Sequence, residues 1–187
     1  MEQKTYVITT LLFKDFERYK QDILDLEQKV FEPILCDNEE GLKEALKMKS
    51  ASCFSIYDKE KMIGVYYLTL LDELDKEFFD RYLLGCWDPT TYDGYGNNDT
   101  YYIHIVAIDP SYQGKGIGKN LNDHVMNHLK NNGAKNVLIH AHEGSMLNII
   151  KKSGGVILDK LENLVNTNQD YYFCEIKFTL CNLVQRV

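Results

Sequence analysis

The sequence lacks the features typical of membrane, secreted and nucleic-acid-binding proteins. No apolar run approaches the length of a membrane span, and Met1–Thr9 carries acidic Glu2 without an apolar core of the signal-peptide type. Positive charge is in deficit, since the formal net charge is -7 and the pI is near 5.2. Binding to nucleic-acid phosphates needs a basic face. We therefore expect a cytoplasmic protein with no nucleic-acid partner and no membrane partner.

Cysteine is too scattered to suggest a disulfide framework or a zinc knuckle. The chain has five cysteines, an odd number, and no C-x-x-C pair joins any two of them. We expect reduced cysteines that mostly pack in the interior, and no bound metal. They are Cys36, Cys53, Cys86, Cys174 and Cys181.

The length and apolar content suit one domain. The chain has 187 residues, of which 44% are hydrophobic, and this is enough for a single sizeable core. No linker, repeat or low-complexity tract interrupts it, so we expect one domain over residues 1–187. The regular pattern weakens only at 72–100, which we interpret as an insertion that is part helix and part loop.

The spacing of apolar residues predicts a mixed α/β (α+β) fold. An alternating or β-branched pattern predicts strands, and apolar residues three and four apart predict helices. The predicted strands are Tyr6–Phe13, Cys53–Tyr57, Met62–Leu71, Tyr101–Ile108, Asn136–His142, one near Val156, and Tyr171–Leu180. The predicted helices are Phe16–Val30, a short one capped by Asp37 or Asn38 that runs to Met48, Ile117–Asn131 and Ser145–Ser153.

A glycine-rich segment joins the strand Tyr101–Ile108 to the helix that follows it. Glycines remove the Cβ atoms that would hold a ligand away from the backbone, and they permit positive φ where a loop wraps an anion. The positive end of the helix dipole lies at the same place. We therefore predict a phosphate-binding turn. Its glycines and lysines are Gly114, Lys115, Gly116, Gly118 and Lys119.

Two common phosphate-binding motifs do not fit this segment. A P-loop that ends at Gly118 and Lys119 would need glycine where Gln113 stands and a hydroxyl where Asn120 stands. A dinucleotide-binding fingerprint that begins at Gly114 would need glycine in place of Lys119. A plain flexible turn remains the alternative to a phosphate site.

The pattern that does fit is Q/R-x-x-G-x-G/A, which Gln113, Gly116 and Gly118 match. The stretch 106–118, VAIDPSYQGKGIG, resembles the central strand and acetyl-CoA loop of the GNAT superfamily of N-acetyltransferases. The resemblance extends over about residues 101–155, and outside that range it rests on the order of the predicted elements.

The resemblance implies a GNAT fold and a co-substrate. The fold would have a mixed central β-sheet, a splayed pair of parallel strands that forms the acetyl-CoA cleft, and helices on both faces. Acetyl-CoA would be the co-substrate, without a metal, and the Val106 N–H would face the thioester oxygen. The implied coenzyme-binding residues are Val106, Ala107, Ile108, Gln113, Gly114, Lys115, Gly116, Ile117, Gly118, Lys119 and Asn148.

His104 is the candidate general base, because transfer to an amine requires loss of an ammonium proton. Strict alternation along the strand would put Tyr102, His104, Val106 and Ile108 on one face. An unperturbed histidine pKa near 6.5 would allow proton uptake without a large shift. The alternative is that His104 only packs in the sheet. For His140 and His142 we favour a hydrogen-bonded or solvated role.

The proton donor for the leaving thiolate is unassigned. In many members of the superfamily a tyrosine at the end of the helix after the second splayed strand supplies this proton, and here Ile150 occupies the matching position. Tyr171 or Tyr172 on the last strand, water, or departure of the free thiolate would replace it.

The amine acceptor is the least determined part of the function. We expect a small amine, a polyamine or a peptide amine, since acidic residues in the segment 72–100 would attract a cation, although a solvated acidic surface is an equal alternative. A catalytically idle acyl-CoA-binding module and a purely structural domain also stay open, and so does a homodimer. The acids are Asp72, Glu73, Asp75, Glu77, Asp80, Asp88, Asp93 and Asp99.

Overall fold

A seven-stranded mixed sheet runs through the computed structural model, which describes residues 6–82, 85–164 and 169–178. The strands lie in the order β1-β2-β3-β4-β5-β7-β6. Their bounds are β1 Val7–Leu11, β2 Ser52–Asp58, β3 Lys61–Leu70, β4 Thr100–Ile108, β5 Asn136–His142, β6 Val156–Leu161 and β7 Tyr171–Lys177. The predicted continuation of the last strand from residue 179 to Leu180 lies outside the described residues.

In the described part of the chain, five α-helices accompany the sheet, and the four predicted ones are confirmed. They are α1 Phe16–Val30, α2 Glu39–Lys47, α3 Lys76–Tyr82, α4 Ile117–Asn131 and α5 Ser145–Lys152. Single 3-10 turns lie at Phe13–Asp15, Pro33–Leu35, Leu71–Glu73, Pro89–Thr91 and Pro110–Tyr112. Within the described ranges, no helix is long and apolar enough to cross a membrane.

Local sequence explains where the helices begin and which side they bury. The Asn38 side chain accepts a hydrogen bond of 2.8 Å from the Gly41 N–H, so Asn38 rather than Asp37 caps α2. On α4 the stripe at four-residue spacing is buried against the sheet. Its members are Ile117, Leu121, Val125 and Leu129.

Helices cover both faces of the sheet, as the fold prediction requires. One apolar cluster joins α4 and α5 to the first face, and a second joins α1 and α2 to the other. The segment 71–99 adds a third cluster against β4, β5 and β7, in which Leu74 and Phe79 are fully buried. The predicted insertion therefore carries an aromatic minicore of its own, around Phe79 and Trp87.

Among the described strands, the single parallel pair is short. β4 and β5 pair only from Thr100↔Asn136 to Ile103↔Ile139, whereas the other neighbouring strands are antiparallel. Beyond Ile103 the edge of β4 that faces β5 has no strand partner in the described residues. This is the splayed pair of the predicted fold, and its main-chain polar groups are left for another partner.

A β-bulge at His104 breaks the alternation of β4. Across the β3–β4 pair, Leu68 lies opposite Ile103 and Tyr67 lies opposite Ile105, so His104 is the extra residue. After the bulge, Val106 and Ile108 pack with Ile103 in the α4 cluster. The rings of Tyr102 and His104 instead lie on the opposite face. The expectation that His104 shares a face with Val106 and Ile108 is therefore wrong.

Asp109 fixes the connection from β4 to the glycine segment. Its buried carboxylate accepts hydrogen bonds from the Ser111 N–H at 2.9 Å and the Ser111 hydroxyl at 2.6 Å, and Lys61 Nζ lies 2.7 Å away. The Lys61 ammonium and the two Ser111 donors lower the pKa of Asp109 to about 2. The Gln113 side chain adds a hydrogen bond of 3.0 Å to the Ile108 carbonyl.

We expect Asp109→Asn to lower the free energy of unfolding by about 1 to 3 kcal/mol at neutral pH, because buried hydrogen bonds to a charged acceptor are lost. Urea denaturation of the variant and the parent chain measures the difference. Because the folded pKa lies below the unfolded one, the stabilisation is complete above the unfolded pKa and disappears as the pH falls through about 2.

Asp123→Asn is the matched control for this prediction. Asp123 forms an exposed ion pair with Lys119 one helical turn away, and such pairs contribute about 0 to 1 kcal/mol. Equal losses in the two variants would contradict the role assigned to Asp109.

Candidate functional site

A pocket opens where β4 and β5 separate, and its cavity volume is about 150 Å³. Its walls come from the connection between α1 and α2, from β3, β4 and β5, and from the start of β7. Apolar side chains dominate the lining, and the polar ones come from a few sites on these elements. The polar residues of the lining include Asp37, Tyr67, His104, His140 and Tyr171.

The glycine segment ends at an open helix N-terminus. Gly114 and Gly116 have φ values of 73° and 79°, and a Cβ on either would meet nothing within 4 Å. Gly116 is the N-cap residue of α4, and in the described residues no side chain caps that helix. The N–H groups of its first turn are therefore directed toward open space, where an anion could bind.

The third glycine has a different role. Gly118 lies in the first turn of α4 without a positive φ, so the prediction of positive φ holds for two of the three glycines. A Cβ at Gly118 would lie 3.5 Å from Ile108 Cγ1, which is an ordinary contact. Ile117 beside it is buried in the α4 cluster and can offer a ligand only its main chain.

The two lysines of the segment lie at the surface and hold local partners. Lys115 Nζ donates to the Ser111 carbonyl at 2.7 Å, and Lys119 pairs with Asp123. Their positive charge is therefore present at the helix N-terminus but already shared with protein groups. Both side chains would have to turn, or act over a longer distance, to contact an anion there.

The predicted coenzyme residues of β4 and α5 lie in different environments. Val106 lines the pocket, while Ala107 and Ile108 are buried and present only backbone to a ligand. Asn148 is exposed on α5. Ile150 is buried in the α4 cluster.

A tyrosine at the start of the last strand lines the pocket. Tyr171 lines the cavity, and burial raises the pKa of its hydroxyl to about 12. Tyr172 packs instead against the α4 cluster and does not line the cavity. Of the two tail tyrosines that we considered, only Tyr171 has access to the site.

His104 is held between aromatic rings. Its ring stacks on Tyr67 with centroids 5.5 Å apart and an interplanar angle of 19°, and Phe78 and Tyr102 contact it edge-on. Its Nε2 lies 2.8 Å from the Thr69 hydroxyl. Burial lowers the pKa of His104 to about 3, so the imidazole is neutral at cellular pH. The expectation of an unperturbed histidine pKa is wrong.

The other histidines agree with the simpler roles. His140 receives a contact of 2.9 Å from the Tyr102 hydroxyl at Nδ1 and stacks on Phe173 with centroids 4.6 Å apart. Burial lowers the pKa of His140 to about 4. His142 is exposed at the rim. His140 thus serves as a hydrogen-bonded packing residue of the pocket wall.

The acids of the segment 72–99 do not line the pocket in the described part of the chain. Asp72 accepts hydrogen bonds from the N–H groups of Gly96 and Asn98, and other acids cap short helices or form ion pairs. Asp75 and Asp88 cap short helices by accepting from main-chain N–H groups. The ion pairs are Glu77 with Arg81, Asp80 with Lys76, and Asp99 with Lys135. These acids therefore stabilise their own segment, and the expectation that they attract a cation stays a prediction.

The pocket carboxylate comes from a place that our sequence reasoning missed. Asp37 lines the cavity and accepts a hydrogen bond from the Tyr67 hydroxyl, and its N–H donates to Glu27 Oε2 at 2.9 Å. Glu27 is fully buried. Burial raises the pKa of Asp37 to about 6, and burial together with Asp37 raises that of Glu27. The available signal was Glu27 in the apolar stripe of α1, four residues after Ile23.

Within the described residues, no group of three or more His, Cys, Asp or Glu side chains is arranged to hold a metal ion. The open main chain at the N-terminus of α4, by contrast, suits the diphosphate of a coenzyme.

Comparison with known proteins agrees with this geometry. The model of the acetyltransferase (GNAT) family matches residues 13–148. Comparison with curated protein sequences gave no significant match.

Solved structures share the fold at low sequence identity. The ribosomal-protein-S18-alanine N-acetyltransferase from Escherichia coli aligns with a TM-score of 0.68 and 13% identity, covering 98% of this chain and 100% of the other. A chain of the NatC complex bound to Gag peptide and CoA gives a TM-score of 0.68, 14% identity and coverages of 93% and 99%. NAA60 from Arabidopsis thaliana in complex with acetyl-CoA aligns with a TM-score of 0.62 and 15% identity, covering 93% of this chain and 99% of the other.

Since the family model spans residues 13–148, well over half of the chain, this protein belongs to the acetyltransferase (GNAT) family.

Proposed function

We propose that this protein is an N-acetyltransferase, which moves the acetyl group of acetyl-CoA to a primary amine by direct attack in a ternary complex. The observation that carries the proposal is the end of β4–β5 pairing at Ile103↔Ile139. The resulting gap leads from the open N-terminus of α4 to the pocket that holds His104. A coenzyme and an acceptor would meet there from opposite sides.

In this proposal the glycine segment binds the diphosphate. The first-turn N–H groups of α4, with Gly114 and Gly116 beside them, are the donors, and Lys115 and Lys119 supply charge. The pantetheine arm would lie in the gap, along the edge of β4 at Val106, Ala107 and Ile108 that faces away from β3. The binding of acetyl-CoA by NAA60 and of CoA in the NatC complex, both of this fold, supports the choice of coenzyme.

The chain's own residues would then assist the transfer. The thioester supplies an activated acyl carbon, and the Val106 N–H stabilises the negative charge that develops on its oxygen. In the tautomer that carries its proton on Nε2, His104 would donate to the Thr69 hydroxyl 2.8 Å away, and Nδ1 would be left to take the proton of the attacking nitrogen. Because burial keeps His104 neutral, it takes this proton only as the C–N bond forms and the nitrogen becomes acidic.

Tyr171 is our candidate for returning a proton to the thiolate when the C–S bond breaks. It is the tail tyrosine that lines the pocket, and its raised pKa keeps it protonated. The buried Ile150 has no proton to give. A module that binds acyl-CoA without transfer is the second candidate function, and the loss of the tyrosine at Ile150 is the observation that favours it.

We expect His104→Ala to lower kcat/KM for the amine by about 10²-fold or more while the Kd for acetyl-CoA stays within about threefold, because only proton removal is affected. Thiol release from acetyl-CoA with a panel of amines and peptides measures this. His124→Ala, on the exposed side of α4, is the control and should keep the parental rate. Full activity of His104→Ala at every pH would rule out the histidine as base.

We expect Gly116→Ala to weaken CoA binding by about tenfold or more, because the new Cβ strains a positive φ and points into the anion space. Calorimetry with CoA measures the affinity. Gly133→Ala is a matched control, since Gly133 has a φ of 84° with open space around it at the other end of α4. Both variants should lose similar stability, but only the first should lose affinity.

The same assays separate the two candidate functions. Binding of CoA with no thiol release across the whole amine and peptide panel would favour the idle module. Absence of CoA binding at millimolar concentrations would remove both.

A further inference from the structure

A buried acidic pair lies beside the pocket and the proposed transfer reaction does not use it. Glu27 on α1 is fully buried, and its Oε1 has no hydrogen-bond partner among the described residues. Its Oε2 accepts from the Asp37 N–H at 2.9 Å. Asp37 itself opens into the cavity. Two carboxyls therefore lie side by side, Glu27 fully buried and Asp37 half-buried in the pocket wall.

Among the residues that the structure describes, no cation neutralises this pair. The described pocket lining contains neither lysine nor arginine. The titratable groups that face Asp37 are acids or neutral at physiological pH, and they come from each neighbouring element. They are Glu27 on α1, Cys36 next to Asp37 in the chain, Tyr67 on β3 and, behind Tyr67, His104 on β4, while Cys53 on β2 lies near Glu27. An ionised Asp37 in this site lacks a counter-charge.

The Tyr67 side chain contacts both the acidic pair and His104, the proposed base. The Tyr67 ring stacks on His104, while the Tyr67 hydroxyl donates to Asp37. Apolar residues of the lining, among them Ile105 and Ile139, form the wall of the same cavity. A ligand in the pocket can therefore place one group near His104 and another near Asp37, with an apolar chain between them.

The chemistry of the two ends differs. The nitrogen that attacks a thioester must be neutral, whereas a carboxylate raises the pKa of a neighbouring amine and keeps it charged. The nitrogen held at Asp37 is therefore not the nitrogen that attacks.

We propose that Asp37, backed by Glu27 and Tyr67, binds a second cationic nitrogen of the acceptor, so that the preferred substrates are amines with two basic groups joined by a short apolar chain. This inference rests on the proposed function for the identity of the reaction. Amines that carry a carboxylate or a phosphate in place of the second nitrogen are disfavoured, because they would bring a like charge to the acidic pair.

Proton exchange accompanies the binding. The folded protein holds the pKa of Asp37 at about 6, so below that pH the carboxyl carries a proton that an arriving ammonium displaces. The affinity for a dication should rise with pH up to about 6 and level off above it, and binding near pH 5.5 should release protons.

The stability of Asp37→Asn tests the acidic pair without any substrate. A folded pKa above the unfolded one means that the parent chain loses stability as the pH rises from about 4 through about 6. An asparagine carries no charge and still accepts from Tyr67, so the variant should be as stable as the parent near pH 4 and more stable near pH 7.5. Thermal unfolding at both pH values measures this, with exposed Asp25→Asn as the control. Destabilisation at both pH values would mean that Asp37 is only structural.

Acceptor preference tests the recognition itself. We expect 1,4-diaminobutane to be acetylated with a kcat/KM at least about tenfold above that of butylamine, because only the diamine contacts Asp37. In Asp37→Asn this ratio should fall to about two, the statistical value for two equivalent nitrogens. A general structural defect would lower both rates and leave the ratio unchanged. An unchanged ratio in the variant, or no diamine preference in the parent chain, would overturn the proposal; Glu27→Gln repeats the test if Asp37→Asn does not fold.

Equilibrium binding separates this inference from the proposed function. Calorimetry of 1,4-diaminobutane with the CoA-saturated protein, in two buffers of different ionisation enthalpy, reports affinity and proton release without any transfer. Diamine binding that depends on Asp37, together with no thiol release, would refute the transferase and keep the cation site. Transfer to butylamine and diaminobutane at equal rates would keep the transferase and refute the cation site.

Discussion

The parting of β4 from β5 after Ile103 is the constraint on which the rest of the site depends. Parallel strands satisfy each other's main-chain groups, so a pair that stops after four residues leaves a polar edge inside the molecule. Every other element of the site is arranged around that edge. The glycine segment ends at one end of the gap, and the pocket with His104 and Asp37 lies at the other.

The bulge at His104 lies immediately after the last paired residue, and the two irregularities act together. An extra residue in β4 turns the His104 ring toward Tyr67 and Phe78, while Val106 returns to the face covered by α4. Within three residues, β4 therefore directs the His104 side chain toward Tyr67 and Phe78 and its main chain toward the gap. A regular strand would place both on one face.

Local features of the sequence predicted much of the fold and the coenzyme end of the site. The apolar stripes of α1 and α4, the Asn38 cap and the glycines before α4 each depend on residues within one or two helical turns. The acceptor end could not be predicted in the same way. The bulge depends on how β3 pairs with β4, and the low pKa of His104 depends on burial by side chains such as Tyr67 and Phe78, from distant parts of the chain. The local roles of the acids of 72–99 could not be predicted either, because composition does not reveal which carboxylates their own loops already use.

The position of Glu27 and Asp37 adds a further argument about the acceptor side. Placing two carboxyls where water is scarce costs folding free energy, and a pair of apolar residues would fill the same space without that cost. Packing alone therefore gives no reason for the pair, and one of its members, Asp37, lines the pocket. A cation that binds Asp37 would remove the destabilisation that the unpaired carboxyls cause in the folded protein. The free energy gained in this way would contribute to the affinity and selectivity for the ligand. In this proposal the pocket wall at Asp37 favours a positively charged ligand group, and the N-terminus of α4 favours a negatively charged one.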